Sequence, residues 1–82
     1  MPEKTIRIQY YALFREECGC TDETVKTSAH TVRDLYTELA MRYSFSLPPD
    51  ILRVSINNAF QSLDTILNDN DTVVFIPPVA GG

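Results

Sequence analysis

The chain has 82 residues, room for one domain and no second, and at that length it buries only about 60% of its unfolded surface, so its core is small. Its composition, 44% hydrophobic and 22% charged, is that of an ordinary globular protein. The net charge of −4 is scattered rather than blocked; it argues against nucleic acid, which needs a basic stripe, and fits a partner whose surface is basic. Met1–Lys4 leads straight into an alternating strand pattern, unlike a signal peptide, and no apolar run is long enough to cross a bilayer. A cytoplasmic protein without membrane contact is expected.

From Thr5 to Tyr10 the pattern alternates, with Ile6, Ile8 and Tyr10 on one face and Arg7 and Gln9 on the other; this predicts a half-buried strand. Tyr11 then falls on the outer face, an unusual place for a large aromatic. Ala12 to Glu17 reads as a short helical turn stopped by Gly19, a residue suited to a left-handed cap. Cys18 and Cys20 flank that glycine and are the only cysteines, with His30 the only histidine. One copy therefore lacks the soft ligands for a four-coordinate zinc site. We read the pair as two small residues at a turn, with no metal bound. Glu23 to Thr27 predicts a second strand paired to the first.

The clearest helix starts at Thr31, with Asp34 where a capping-box carboxylate belongs. Val32, Leu35, Leu39 and Tyr43, with Tyr36 and Ala40 beside them, form a stripe at helical spacing that predicts core contact. Ser44 to Asp50 breaks the helix, and Pro48-Pro49 predicts an extended connection. Leu52, Val54 and Ile56 alternate with polar residues as a third strand, Asn57-Asn58 is turn chemistry, and Phe60 sits in a short extra strand. Leu63 to Leu67 reads as one helical turn, and Asn68 to Asp71 as a tight turn. Asp69 and Asp71 lack the run of oxygen ligands that calcium needs.

Thr72 to Ile76 is apolar on both faces, which predicts a central strand. One substantial helix can cover only one sheet face, so Val74, Ile76 and Tyr11 are expected together on the bare face as a protein-binding patch. The element order predicts an α+β, ubiquitin-like β-grasp roll: a mixed sheet with one main helix packed across one face. The domain is expected over 1–76, followed by an extended tail over 77–82. In Pro77-Pro78-Val79-Ala80-Gly81-Gly82 the prolines hold the chain extended. Everything beyond them is slim, and six such residues reach about 20 Å. Glycine at the tip adds no Cβ to clash in a narrow channel.

Over its length the sequence resembles the MoaD family, the small, sulfur-carrier subunits of molybdopterin synthase. The resemblance is carried by Ile6 through Gly19, by Thr31-Val32 to Tyr43, by Val54-Ser55-Ile56-Asn57, and above all by Leu67 through the Phe75-Ile76-Pro77-Pro78-Val79-Ala80-Gly81-Gly82 ending. One departure stands in the turn before the last strand, where Asn70 replaces the family's usual glycine; asparagine is the commonest non-glycine residue at positive φ.

The resemblance implies that the working group is the Gly82 carboxylate. An E1-like adenylyltransferase spends ATP to make the acyl-adenylate, and a sulfurtransferase's persulfide converts it to a thiocarboxylate. The tail then delivers sulfur to cyclic pyranopterin monophosphate inside the large synthase subunit, in a heterotetramer of two small and two large subunits. It implies no bound cofactor, and Tyr11, Phe60 and Ile76 match the family's apolar contact positions. No internal catalytic set competes with this reading; His30 has no sequence-adjacent nucleophile. Three other readings share many of these features. The thiamin-pathway sulfur carrier is usually shorter and lacks the Pro-Pro pair. A ubiquitin-like modifier would be conjugated through Gly82, and a plain interaction module would keep its tail unmodified.

Overall fold

In a computed structural model, residues 3–78 are described. They form β1 (Lys4–Tyr10), α1 (Leu13–Cys18), β2 (Asp22–Thr27), α2 (Val32–Tyr43), a 3-10 turn (Pro49–Ile51), β3 (Arg53–Ile56), β4 (Ala59–Gln61) and β5 (Thr72–Ile76). The sheet order is β2-β1-β5-β3-β4. β5 pairs parallel to β1 and antiparallel to β3, and the β1–β2 and β3–β4 pairs are antiparallel. This is the expected β-grasp roll, and the strand that is apolar on both faces is the central one. None of the helices described is long and apolar enough to cross a membrane.

The core follows the alternation in the sequence. Ile6, Ile8 and Tyr10 from β1 meet Val54, Ile56, Val73 and Phe75 beneath Val32, Leu35, Tyr36 and Leu39 of α2, all of them buried. α2 starts at a complete capping box: the Thr31 hydroxyl accepts from the Asp34 amide at 3.2 Å, and the Asp34 carboxylate accepts from the Thr31 amide at 3.3 Å. These two bonds satisfy two of the donors that a helix N-terminus leaves free.

Two expectations are corrected. Leu63–Leu67 is not helical. It turns once, the Thr65 amide donating to the Ser62 carbonyl, and then runs alongside Thr31 through a bridge at Ile66. The reason lies in α2: its free Val32 and Arg33 amides take the Thr65 and Leu63 carbonyls as acceptors, so this loop serves as an acceptor strip for the helix start. Nor is the whole Pro48-Pro49 connection extended. Pro48 is, but Pro49 opens the 3-10 turn, a position that suits its fixed φ and missing N–H.

Beyond α2 the chain adds an aromatic residue that periodicity did not flag. Ser44 takes a left-handed cap at φ 58, which folds Phe45 back over the core. There it meets Phe14 at 5.0 Å between ring centroids and Tyr10 at 6.0 Å, both edge-on. Edge-to-face pairs of this kind add about 0.5–1.5 kcal/mol each beyond area burial. The Tyr10 and Tyr43 hydroxyls both donate to the Glu23 carboxylate, so the polar ends of this cluster are satisfied.

Candidate functional site

The site is built where the central strand leaves the sheet. Gln9-Tyr10 of β1 lies beside Val74-Phe75 of β5, so the end of β1 and the end of β5 arrive together. At the end of β1 the chain reverses sharply. Ala12 adopts φ 50, ψ −122, a conformation proper to glycine, and the Phe14 amide closes the turn on the Tyr11 carbonyl at 3.1 Å. The reversal separates neighbours by side: Tyr10 and Phe14 go into the core, while Tyr11 stays 50% exposed.

Tyr11, Ala12 and Leu13 then form one wall of an apolar pocket of about 670 Å³; Leu47 and Ile76 add to it, with Pro77 and Pro78 at the root of the tail. Leu47 is held by its own backbone, because the Tyr36 hydroxyl donates to its carbonyl at 2.6 Å. Burial pushes the Tyr36 phenol up to about 12, so it remains a donor at neutral pH. Leu13 and Leu47 were not singled out from sequence. The signal available was their position, each beside a chain reversal and outside any periodic run.

The tail residues Val79, Ala80, Gly81 and Gly82, named from sequence as its slim tip and reactive end, lie outside the described residues. Pro77 is half-buried and Pro78 exposed, neither belonging to a strand.

Of the four residues expected on the partner face, Tyr11 and Ile76 come together in this pocket. Phe60 does not join them. It stands 70% exposed on the edge strand β4, in the same cross-strand row as Gln9, Val74 and Ser55. Val74 corrects the expectation differently: it faces away from the helix but is only 8% exposed, hemmed between its Gln9 and Ser55 neighbours. It supports the patch from below and offers little surface of its own.

The charge on this face also differs from what net charge suggested. Register places Arg7, Lys26 and Arg53 on it, with Asp22 the sole carboxylate among its strand residues. The chain's acidity therefore resides elsewhere, and the bare face is cationic around an apolar centre. That suits an acidic partner surface, the reverse of the inference from net charge. Other carboxylates are engaged in structure. Asp69 accepts the Thr5 amide at 2.7 Å, and Asp71 accepts from the Asn57 side chain and the Asn68 amide at 2.9 and 2.8 Å. Among the described residues no cluster of three metal-ligating side chains occurs, and His30 is exposed.

Comparison with known proteins matches residues 8–82 to the model of the ThiS family. A curated relative, the molybdopterin synthase sulfur carrier subunit of Escherichia coli K12, is 32% identical over 80 residues, covering 94% of this chain and 99% of that protein. Among solved structures, the small archaeal modifier protein 1 of Haloferax volcanii superposes with a TM-score of 0.77 at 22% identity, over 95% of this chain and 99% of that one. A chain from the complex of subunits 1 and 2 of the molybdopterin-converting factor of Helicobacter pylori gives 0.62 at 20% identity, over 95% and 99%. These last two likenesses establish the fold. The match over nearly the whole sequence, together with a central strand that opens into a Pro-Pro tail, establishes the rest: the chain belongs to the ThiS/MoaD family, with the sulfur-carrier subunits of molybdopterin synthase.

Proposed function

We propose that the chain carries sulfur for molybdopterin synthesis on the carboxylate of Gly82. The observation that carries this reading is the tail root: β5, hydrogen-bonded on both sides, runs directly into Pro77-Pro78 beside an apolar pocket. A rigid stem with a slim tip suits delivery of one reactive group into another protein's active site.

The chemistry requires activation, because a free carboxylate would have to expel oxide. An E1-like adenylyltransferase would transfer AMP from ATP to the Gly82 carboxylate with release of pyrophosphate. A persulfide sulfur on a sulfurtransferase would then displace AMP to give an acyl disulfide, and a second thiol would attack the sulfurtransferase's sulfur, forming a disulfide with it and releasing the Gly82 thiocarboxylate. In the large synthase subunit that sulfur would attack the cyclic pyranopterin precursor, and two carriers in turn would build the dithiolene. The carrier holds no catalytic set of its own in this scheme. Tyr11, Ile76 and the exposed ring of Phe60 are its docking surface, Val74 their support. The large-subunit assignment is supported by the like-folded H. pylori chain, which is found in a complex of subunits 1 and 2.

A second reading, a ubiquitin-like modifier joined through Gly82 to lysines, is favoured by the likeness to the archaeal modifier protein. One experiment separates the two. The chain is incubated with ATP, an E1-like enzyme and a sulfur donor, and its intact mass is read. Exchange of one oxygen for sulfur is expected in the wild type and not after deletion of Gly82, which shortens the reach by about 3.5 Å, or after addition of one residue. Equal sulfur uptake and dithiolene formation by the altered chains would overturn the carrier reading. Lysine-linked adducts in cells without any thiocarboxylate would establish the modifier.

A further inference from the structure

The Cys18-Gly19-Cys20 segment takes no part in the reading above, yet the fold brings its two thiols into contact. Both cysteines are free and half-buried, and their Sγ atoms lie 3.0 Å apart. The geometry follows from how α1 ends. Gly19 takes a left-handed cap at φ 76 and its amide donates to the Arg15 carbonyl, so the chain folds back and sets Cys20 over Cys18. Two further bonds hold the arrangement: the Cys20 amide donates to Cys18 Sγ at 3.3 Å, and the Cys18 thiol donates to the Cys20 carbonyl at 3.1 Å. A Cβ at position 19 would meet nothing within 4 Å, so glycine is required there for its backbone angle and not for space.

We propose that Cys18 and Cys20 form a redox-modification site that reacts with a low-molecular-weight disulfide, Cys18 attacking and Cys20 resolving, and closes to an intramolecular disulfide within the native fold. The step balances. The Cys18 sulfur attacks one sulfur of the small disulfide, and the other sulfur leaves as a thiol. The Cys20 sulfur then attacks Cys18 Sγ of the mixed disulfide and expels the second small thiol. The two cysteines lose two protons and two electrons; the small disulfide gains both. The sulfurs need to approach by only about 1 Å to reach bonding distance, which side-chain rotation and a small adjustment of the cap can supply.

The order of attack follows from the surroundings. Burial, the hydrogen bond with Cys18 and the nearby carboxylates of Glu23 and Asp22 push the Cys20 thiol up to about 12. Cys20 is therefore the poorer attacking thiol at neutral pH. It resolves the mixed disulfide once Cys18 carries a good leaving thiol beside it. In a reducing compartment the pair rests as dithiol, and its closure is transient, as for most thiol pairs of that setting. α1 runs from Leu13 in the tail-root pocket to Cys18, so the modification sits one short helix from the docking surface.

The test uses the full chain, reduced and then equilibrated against graded ratios of oxidised to reduced glutathione, quenched by alkylation and read by intact mass. The expected product is a monomer lighter by two hydrogens, unalkylated, with an unchanged far-UV circular dichroism spectrum and full reversal by dithiothreitol. Cys20→Ser should accumulate the mixed glutathione disulfide, and Cys18→Ser should form it about tenfold more slowly. A stable glutathione adduct on the wild type, a disulfide-linked dimer as end product, closure only with loss of the native spectrum, or faster adduct formation by Cys18→Ser than by Cys20→Ser would each overturn the proposal.

Discussion

Tyr11 and Ile76, sixty-five positions apart in sequence, line one pocket at the root of the tail. The parallel pairing of β1 with β5 puts them there. If this pocket is the heart of the docking surface, Ile76→Lys should lower affinity for the large synthase subunit by about 2 kcal/mol or more, the scale of a hot spot. The fold should persist, because Ile76 is not part of the buried core. Met41→Lys, on an exposed position of α2, serves as control. Titration calorimetry on both variants, with circular dichroism for the fold, checks the expectation; equal affinities would remove the pocket from the interface.

The cations of the bare face yield a separate expectation. Arg7 and Arg53 flank the apolar centre through their Thr72 and Ile76 neighbours, so an acidic partner should be steered toward it. Reversing both charges to glutamate should slow association about tenfold at low salt while changing dissociation little, and added salt should erase most of the difference. Stopped-flow association rates at several ionic strengths measure this. A partner indifferent to both changes would be a neutral one.

Ala12 stores strain. At φ 50, ψ −122 a residue with a Cβ pays about 1–3 kcal/mol, while glycine's greater freedom in the unfolded chain costs about 0.4–1 kcal/mol. Ala12→Gly should therefore stabilise the domain by about 1 kcal/mol, a rise in Tm of roughly 4–8 °C. Thermal unfolding followed by circular dichroism gives the answer, and a fall in Tm would show that the angle is not strained.

Leu35 tests the docking of α2. It is completely buried between the helix and the sheet, so Leu35→Ala should cost about 2–5 kcal/mol. That is a large part of the stability of a small domain. Chemical denaturation would show the loss as a lower midpoint, and a change near zero would mean that the helix is not docked there.

Alkaline stability has a sign fixed by three tyrosines. Tyr10 is raised by burial and then by its bond to Glu23, Tyr36 to about 12 by burial, and Tyr43 by burial and Glu23. Each folded-state value exceeds that of the unfolded chain, so their contribution is intact below about pH 10 and is lost as pH rises through the folded values. Phenolate absorbance and near-UV circular dichroism, recorded together through an alkaline titration of a Tyr11→Phe variant so that the exposed fourth tyrosine does not contribute, should show ionisation of these three rings coinciding with unfolding. Ionisation well before any structural change would mean that the rings are open to solvent.

Much of this fold can be read from local chemistry. The capping box at Thr31 and Asp34, the Asn57-Asn58 pair with both φ positive, and Asn70 at φ 70 are decisions made by side chains on their own backbone. The central place of β5 was legible because Val73, Val74, Phe75 and Ile76 leave no polar face. What escaped depends on distant partners. Leu63–Leu67 has a helix-like composition, and only the unsatisfied amides of Val32 and Arg33 give its carbonyls another use. Phe45 lies past the helix break, so periodicity has no hold on it. Val74 was placed on the right face, but sequence carries no measure of how closely Gln9 and Ser55 crowd it. The pocket residues Tyr11 and Ile76 could be singled out in part because each breaks an expectation, an outward aromatic and an apolar strand end; Leu13 and Leu47 break none.

The middle of the sheet is filled by the last of the five described strands in chain order, and this sets a schedule for the nascent chain. β1 emerges early but cannot pair along its inner edge until Thr72 to Ile76 exist, and β3 waits for the same five residues. At translation speeds of about 5–20 residues per second, β1 stays half-bare for roughly 3–14 s. A ribosome that stalls before Thr72 releases two open strand edges and no closed core, the kind of exposed template that sheet proteins otherwise guard against. Completion of the fold and arrival of the tail-bearing strand are thus one event: the chain cannot close on itself before Ile76, the residue from which the tail begins, has been made.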